Sequence, residues 1–208
     1  MIAFLGTDGS GKSSIINAIS PVLETGPYAH VRYGHLRPTF LPSLAAVFGR
    51  TKPEGPVTEP HADRPSGFFG SLFRIMYYTL DYIFGYWIKI YPVMVREDCL
   101  WIFDRYFYDY LFDPERSRIA LPKWIIRFFV RFIPRPDLII CLGTDARKIH
   151  ARKPELTLGE MERQLSVLRE FCGASSRAVW IDTGKSIEES VADVLSAITA
   201  HVAVRDKG

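Results

Sequence analysis

Several large protein classes are excluded by what this sequence has little of. Its 208 residues include three cysteines, Cys99, Cys141 and Cys172, and none of them forms a C-x-x-C pair. That argues against zinc and against a disulfide framework, so buried free thiols in a reducing compartment are expected. Neither sign of charge dominates: 26 Lys and Arg stand against 23 Asp and Glu, a net +3. Such a balance suits phosphorylated ligands or anionic lipid and does not call for a nucleic-acid polymer. No charge-free run reaches the roughly 18 residues that a membrane-spanning helix needs. The closest approach, Phe68 to Val95, is broken by Arg74, Asp81 and Lys89, and Asp81 would lie near the middle of a span. No repeat and no Asn-Lys-x-Asp guanine motif occurs. The glycine-rich motif that begins at Gly6 leaves no room for a cleavable leader before it, so a cytoplasmic protein is expected. The short run ahead of that motif also suits a chain that is one end of a longer polypeptide.

What remains is the composition of a globular protein, with 48% hydrophobic, 24% charged and 13% aromatic residues. The length suits a single domain over 1–208. Its N-terminal stretch is the sharpest signal. The apolar run Met1 to Leu5 leads directly into Gly6-Thr7-Asp8-Gly9-Ser10-Gly11-Lys12-Ser13, which fits the phosphate-cradling pattern G-x-x-x-x-G-K-[ST] at every fixed position. Glycines at 6, 9 and 11 let the backbone turn tightly and aim several N–H groups at one anion. The helix that follows adds the positive end of its dipole, Lys12 reaches the β and γ phosphates, and the Ser13 hydroxyl can ligate Mg²⁺. Apolar positions 15, 16, 19, 22 and 23 give that helix one buried face, and Pro21 is expected to trim its end.

Further along, Ala29 to Tyr33 reads as a second strand. The segment from Gly34 to Gly67 holds prolines at 38, 42, 53, 56, 60 and 65 and reads as a loop, mobile over 49–65. His35, Arg37 and the apolar patch Phe40 to Phe48 are placed to fold over a ligand. Phe68 to Val95 reads as one long buried helix whose tyrosines mostly pack. Cys99 to Phe103 is a buried strand with Asp104-Arg105-Tyr106 at its C-terminal end, where a doubly wound sheet puts its chemistry. Leu121 to Ile133 is amphipathic, with Lys123, Arg127 and Arg131 four residues apart. That face is either solvated or rests on anionic lipid. Strand Leu138 to Leu142 follows, then a strongly charged helical stretch, Ala146 to Phe171, broken near Pro154. Strand Ala178 to Ile181 and helix Ser186 to His201 complete the chain. This alternation implies an α/β fold with a mainly parallel sheet.

If the phosphate loop ends the first strand and Asp104 ends a neighbouring one, Asp104 reaches a Mg²⁺ shell held by Ser13. An Asp at that place is also a common helix N-cap. Arg105 is positioned for phosphate or acceptor. The cations over 144–172 make a candidate lid, since phosphoryl transfer needs positive charge over the γ-phosphate and exclusion of water. Each of these arginines is equally suited to a solvated surface role.

Four motifs in this order and spacing carry a family resemblance: Phe4 to Ser14, Phe103-Asp104-Arg105-Tyr106, Pro136 to Leu142, and Ile181 to Val191. The set resembles the thymidylate kinase family of P-loop kinases over nearly the whole chain, with residues 36–70 outside the match. The resemblance implies a three-layer α/β/α P-loop kinase fold with a five-stranded parallel sheet and a helical lid. It implies ATP with Mg²⁺ as phosphoryl donor, bound by Gly6, Thr7, Gly9, Ser10, Gly11, Lys12, Ser13 and Ser14, with Asp182 to Lys185 flanking the adenine. Ser13 and Asp104 hold the metal, Asp8 faces the acceptor, and Arg105 serves metal and acceptor. Because Gly9 stands where some members carry an arginine, Arg147 and Arg152 become the γ-phosphate ligands. Catalytic residues are thus Asp8, Lys12, Asp104, Arg105, Arg147 and Arg152.

Two places depart from the family pattern. Family members have an Arg-Glu-Pro-Gly-type turn after the second strand, where this chain reads His35-Leu36-Arg37-Pro38. They also carry a phosphate-gripping arginine about ten residues before the proline that ends the long helix. Counting back from Pro92 reaches Tyr82, with Arg37 or Arg74 available to compensate. Acceptor-side candidates are therefore Asp8, Arg37, Arg74, Tyr78, Asp81, Tyr82, Arg105 and Tyr106. The acceptor is either a nucleoside monophosphate or a nucleoside or sugar hydroxyl, and for a hydroxyl Asp8 or Asp81 is the base. The competing readings are an NTPase switch that transfers phosphate to water, and a kinase homologue recruited to a membrane or glycan-assembly complex. Peripheral membrane contact and a homodimer are both compatible with the apolar faces.

Overall fold

The computed structural model describes residues 1–26, 28, 30–47 and 66–205. The 49–65 stretch, expected above to be mobile, lies outside the described residues. Five parallel strands, β1 (Ile2–Leu5), β2 (His30–His35), β3 (Cys99–Asp104), β4 (Leu138–Gly143) and β5 (Ala178–Asp182), form one sheet in the order β2-β3-β1-β4-β5. β1 and β4 are buried at every residue, which is why they read as unbroken apolar runs. Edge strand β2 is largely exposed. Successive side chains of a strand point to opposite faces, so Ile2 and Phe4 enter one apolar core while Ala3 and Leu5 enter the other.

The first core is covered by α1 (Lys12–Glu24) and α9 (Ile187–Arg205). The second lies under α3 (Phe68–Phe84), α4 (Tyr91–Glu97), α5 (Asp109–Phe112), α6 (Lys123–Val130) and α8 (Leu158–Ala174). A single turn, α2 (Leu44–Val47), precedes α3, and α7 (Ala146–Arg152) precedes α8. The result is a three-layer α/β/α arrangement. Among the described residues no helix is long and apolar enough to cross a membrane.

Most sequence expectations hold within a residue or two, and the departures have local causes. Helix α1 runs through Pro21 to Glu24. The missing N–H deprives only the Asn17 carbonyl, while the Pro21 carbonyl still accepts from the Thr25 amide, so one proline in the last turn is tolerated. Strand β2 lies later than expected because it pairs with β3 from His30 opposite Cys99 to His35 opposite Asp104. α6 is shorter than Leu121 to Ile133, since Pro122 sets its start.

The long helix is one rod with a defect. α3 passes into a π-helical stretch, Gly85–Ile90, and then into α4. Pro92 follows this wide turn. A proline ring crowds the carbonyl four residues back, here that of Ile88, and a π turn relieves the crowding. Residues 36–42 are pinned along the rod. Asp81 accepts from the Leu41 amide at 2.6 Å and pairs with Arg37 at 3.3 Å. Tyr77 donates to the Pro42 carbonyl at 2.9 Å, and Lys89 to that of Pro38 at 3.0 Å. Gly85 makes this approach feasible, because a Cβ there would lie 2.4 Å from the Pro38 Cβ.

Gly85→Ala should therefore destabilise the fold by about 1–3 kcal/mol in urea unfolding, as overpacking does. Gly159→Ala on α8, where an added Cβ meets nothing within 4 Å, should stabilise it by about 0.5–1 kcal/mol.

Candidate active site

The phosphate loop leaves β1 at Leu5 and enters α1 at Lys12. Gly9 and Gly11 hold φ of 82° and 87°, the left-handed region that glycine occupies at no steric cost. Parallel pairing of β1 with β3 sets Phe4 opposite Asp104, which brings the end of β3 beside the loop. Ser13 Oγ lies 3.5 Å from Asp104 Oδ2, and His35 Nδ1 is 3.8 Å from the same oxygen. Burial opposes ionisation of Asp104, yet the nearby His35 and the charge of Lys12 hold its carboxyl below the usual range. Its Oδ1 is buried without a hydrogen-bond partner. A serine hydroxyl and a carboxylate with a free oxygen fit a hard cation whose remaining ligands are water and phosphate, as is usual for Mg²⁺.

Lys12 is buried and donates to the carbonyls of Gly6 at 2.7 Å and Thr7 at 2.9 Å. Burial, reinforced by the nearby Arg105, pushes its ammonium down to about 8. The Arg105 side chain is only 3% exposed. It pairs with Asp109 at 2.6 Å and with Asp8, and Asp8 is paired a second time, with Arg116. A continuous chain of alternating charge, Arg116–Asp8–Arg105–Asp109, results. Although burial works against both ions, Arg105 and Arg116 hold Asp8 far below the carboxylate range, and Asp109 and Asp8 hold Arg105 above the usual guanidinium range. Burial wins at Asp109, whose carboxyl is raised despite Arg105.

The end of α7 lies on the phosphate loop. A Cβ at Gly9 would sit 3.0 Å from Lys153 Cβ and 3.1 Å from the Ile149 carbonyl oxygen, so this position has no space for the arginine some loops carry. Arg152 donates to the Thr183 carbonyl at 2.9 Å. Between these parts opens a cleft of about 520 Å³, lined by six cations, Lys12, Arg105, Arg116, Arg152, Lys153 and Lys185, against two carboxylates, Asp8 and Asp104.

The structure thus brings together Asp8, Gly9, Gly11, Lys12, Ser13, Ser14, Asp104, Arg105, Arg152 and Lys185 in one cleft. Thr7 and Ser10 are buried within the loop, as is Gly6, where a Cβ would approach the Ser10 hydroxyl and the Leu142 carbonyl. Asp182 turns the chain by accepting from the Gly184 amide at 2.9 Å.

Other expected site residues do not join them. Arg147 is exposed and does not line the cleft. Arg37 lies over the Tyr78 ring at 4.8 Å and pairs with Asp81, which is fully buried. Arg74 bonds Ser66 Oγ at 2.9 Å. Tyr82 and Tyr106 are core residues rather than pocket walls. Tyr82 falls on the buried face of α3 with Ser71, Ile75 and Thr79, and its ring stands edge-on to Tyr106 at 4.9 Å. The Tyr106 hydroxyl donates to the Pro134 carbonyl. Sequence reasoning missed Arg116, Ile15, Ile187 and Ser190 as cleft residues, and reached Lys153 and Thr183 only as members of the lid and adenine-side segments. Only the charge of Asp113-Pro114-Glu115-Arg116 marks the first of them.

No family model matches this chain, and a search of curated proteins finds no match either. Among solved structures it is similar to a thymidylate kinase from Ehrlichia chaffeensis, with a TM-score of 0.59, at 14% identity over 95% of this chain and 97% of that one. The chain has a thymidylate kinase-like fold.

If the loop binds a nucleoside triphosphate, Lys12 makes that binding pH-dependent. Below about pH 8 it is already charged in the free protein, so an arriving phosphate takes up no proton there. Above that value binding must restore the proton. ATP affinity is expected to fall about tenfold per pH unit beyond this point, and Lys12→Met should flatten the profile in calorimetric titrations.

Proposed function

We propose that this chain is a phosphotransferase that moves the γ-phosphoryl group of ATP to the phosphate of a nucleoside monophosphate. The observation that carries the reading is the pair of guanidiniums, Arg105 and Arg116, on either side of Asp8 at the edge of the phosphate-loop cleft. The thymidylate kinase-like fold supports it. On the donor side the loop amides and Lys12 hold the triphosphate, Lys185 and Ile187 border the adenosine end, and Arg152 and Lys153 face the γ-phosphate. Ser13 and Asp104 would hold Mg²⁺, which would supply positive charge against the phosphates.

Two physical arguments choose a phosphate acceptor over a hydroxyl. Six cations against two carboxylates carry more positive charge than a Mg²⁺-bound triphosphate neutralises, so a second anion is welcome. A hydroxyl also gains from a base, whereas a phosphate is already ionised and needs none. Asp8, held low by two arginines, is a weak base, and Asp81 is sealed against Arg37 and Leu41. Arg116, with a side chain 27% exposed, takes the role that counting along the long helix had left to Tyr82. Asp8 then orients the two guanidiniums and offers an acceptor to a sugar hydroxyl. Within the 144–172 region, α7 and the turn after it close on the cleft through Arg152 and Lys153, while α8 stays packed on the core.

Labelled ATP offered nucleoside monophosphates, nucleosides and simple sugars, with product and free phosphate read together, tests this directly. Transfer to a nucleoside monophosphate is expected. Arg116→Gln should raise the KM for that acceptor about 10- to 100-fold, the weight of a charged hydrogen bond, with little change in the KM for ATP. Transfer to a hydroxyl that ignores Arg116→Gln would overturn the reading, and hydrolysis without any acceptor would favour a switch.

A further inference from the structure

Two side-chain columns run along α6 and the turn after it, and neither the core nor the cleft uses them. Lys123, Arg127, Arg131 and Arg135 recur every four residues, all exposed. Trp124, Phe128 and Phe132 each follow one of these cations, at 70%, 47% and 51% exposure. The opposite side of the helix is anchored by buried Ile125 and Ile126. From Arg116 to Pro136 the chain carries no carboxylate. Arg127 approaches Glu170 at 3.8 Å with both side chains more than half exposed, a pairing that water screens.

Helix α3, which packs against α6, also exposes apolar side chains, Phe69 at 83% together with Phe73 and Met76. Between Phe68 and Val95 the one carboxylate is Asp81, and it is buried. α6 therefore presents exposed rings rimmed by cations, with Glu170 beside Arg127 as an exposed acid near them, and the neighbouring helix α3 exposes further apolar side chains. Patches of this extent mark interaction sites on soluble proteins.

The charge decides among occupants. A second copy docked through a two-fold axis sets the same patch on both subunits, which would gather two sets of α6 cations at one interface. An anionic bilayer offers phosphates to the cations and an apolar boundary to the rings, and tryptophan beside Lys and Arg is the composition of helices that lie in that boundary. We propose that α6, with the adjoining face of α3, is a docking surface for anionic lipid bilayers. Trp124, Phe128 and Phe132 enter the headgroup boundary, and Lys123, Arg127 and Arg131 sit at the level of the lipid phosphates. None of the residues lining the cleft lies on α3 or α6, so the surface stands independently of the proposed reaction.

The test is flotation of the full chain with vesicles of phosphatidylcholine alone and of phosphatidylcholine with phosphatidylserine, with and without added salt. The chain should float with the anionic vesicles, be released by salt and ignore the neutral ones. Arg127→Gln with Arg131→Gln should weaken partitioning on the order of 30-fold. Trp124→Ser with Phe128→Ser should abolish it, both pairs keeping the parent's cooperative unfolding transition. Absence of flotation, or equal flotation with neutral vesicles, would overturn the proposal. A dimer in sedimentation equilibrium that Trp124→Ser with Phe128→Ser dissociates would also overturn it, assigning the face to a second copy. Should the aromatic pair fail to fold, the salt and lipid-charge arms decide the matter on the unaltered chain.

Discussion

A guanidinium removed from water must be matched by carboxylates, and Arg105 is matched by two. Its pairs with Asp8 and Asp109 tie the tip of the phosphate loop to α5 across the end of β3. Breaking one side of such a buried pair is costly, because the other charge is left uncompensated. The backbone contributes as well. Arg105 holds a left-handed φ of 70° and its amide donates to the Phe4 carbonyl at 2.9 Å, so the turn that aims the guanidinium under the loop also leaves Asp104 beside Ser13. Asp8, fixed from below, holds Arg116 at the mouth of the cleft. The phosphate loop and the mouth of the cleft are thus joined through one buried ion.

The sheet makes this junction inevitable. With all strands parallel and β1 between β3 and β4, the phosphate loop, Asp104, Thr144 and the Thr183 to Lys185 turn all emerge at the same end. Ligands bind at that edge in doubly wound sheets. The apolar layers on both faces supply the rigidity, while the charges gather where the strands stop.

How much of this was legible in the sequence depended on whether a residue sat in a periodic or motif-bearing stretch. The strands, the phosphate loop and the Ser13–Asp104 pair were readable, since unbroken apolar runs imply buried parallel strands and the loop has fixed glycines. Tyr82 was misplaced because it was reached only by counting back from Pro92. An offset along the chain does not say which face a residue occupies, and Tyr82 falls on the buried face of α3 with Ile75 and Thr79. Arg116 was invisible for another reason. It lies in an irregular stretch, a short 3₁₀ turn at Glu115–Ser117 followed by Arg118 at a φ of 58°, where no periodicity says which way a side chain points. Only the tertiary ion pair with Asp8 reveals it. Arg147 and Arg152 looked equivalent in sequence, and only the packing of the end of α7 on Gly9 separates them.

The most direct measurement is the affinity of a bisubstrate analogue, an adenosine oligophosphate ending in a second nucleoside, set beside that of a non-hydrolysable ATP analogue. If donor and acceptor meet across the Asp8–Arg105 junction, the bisubstrate compound binds orders of magnitude more tightly, and Asp8→Asn or Arg116→Gln removes that advantage while sparing the ATP analogue. Equal affinity of the two compounds, or an advantage indifferent to both substitutions, would contradict an acceptor site at this edge of the cleft.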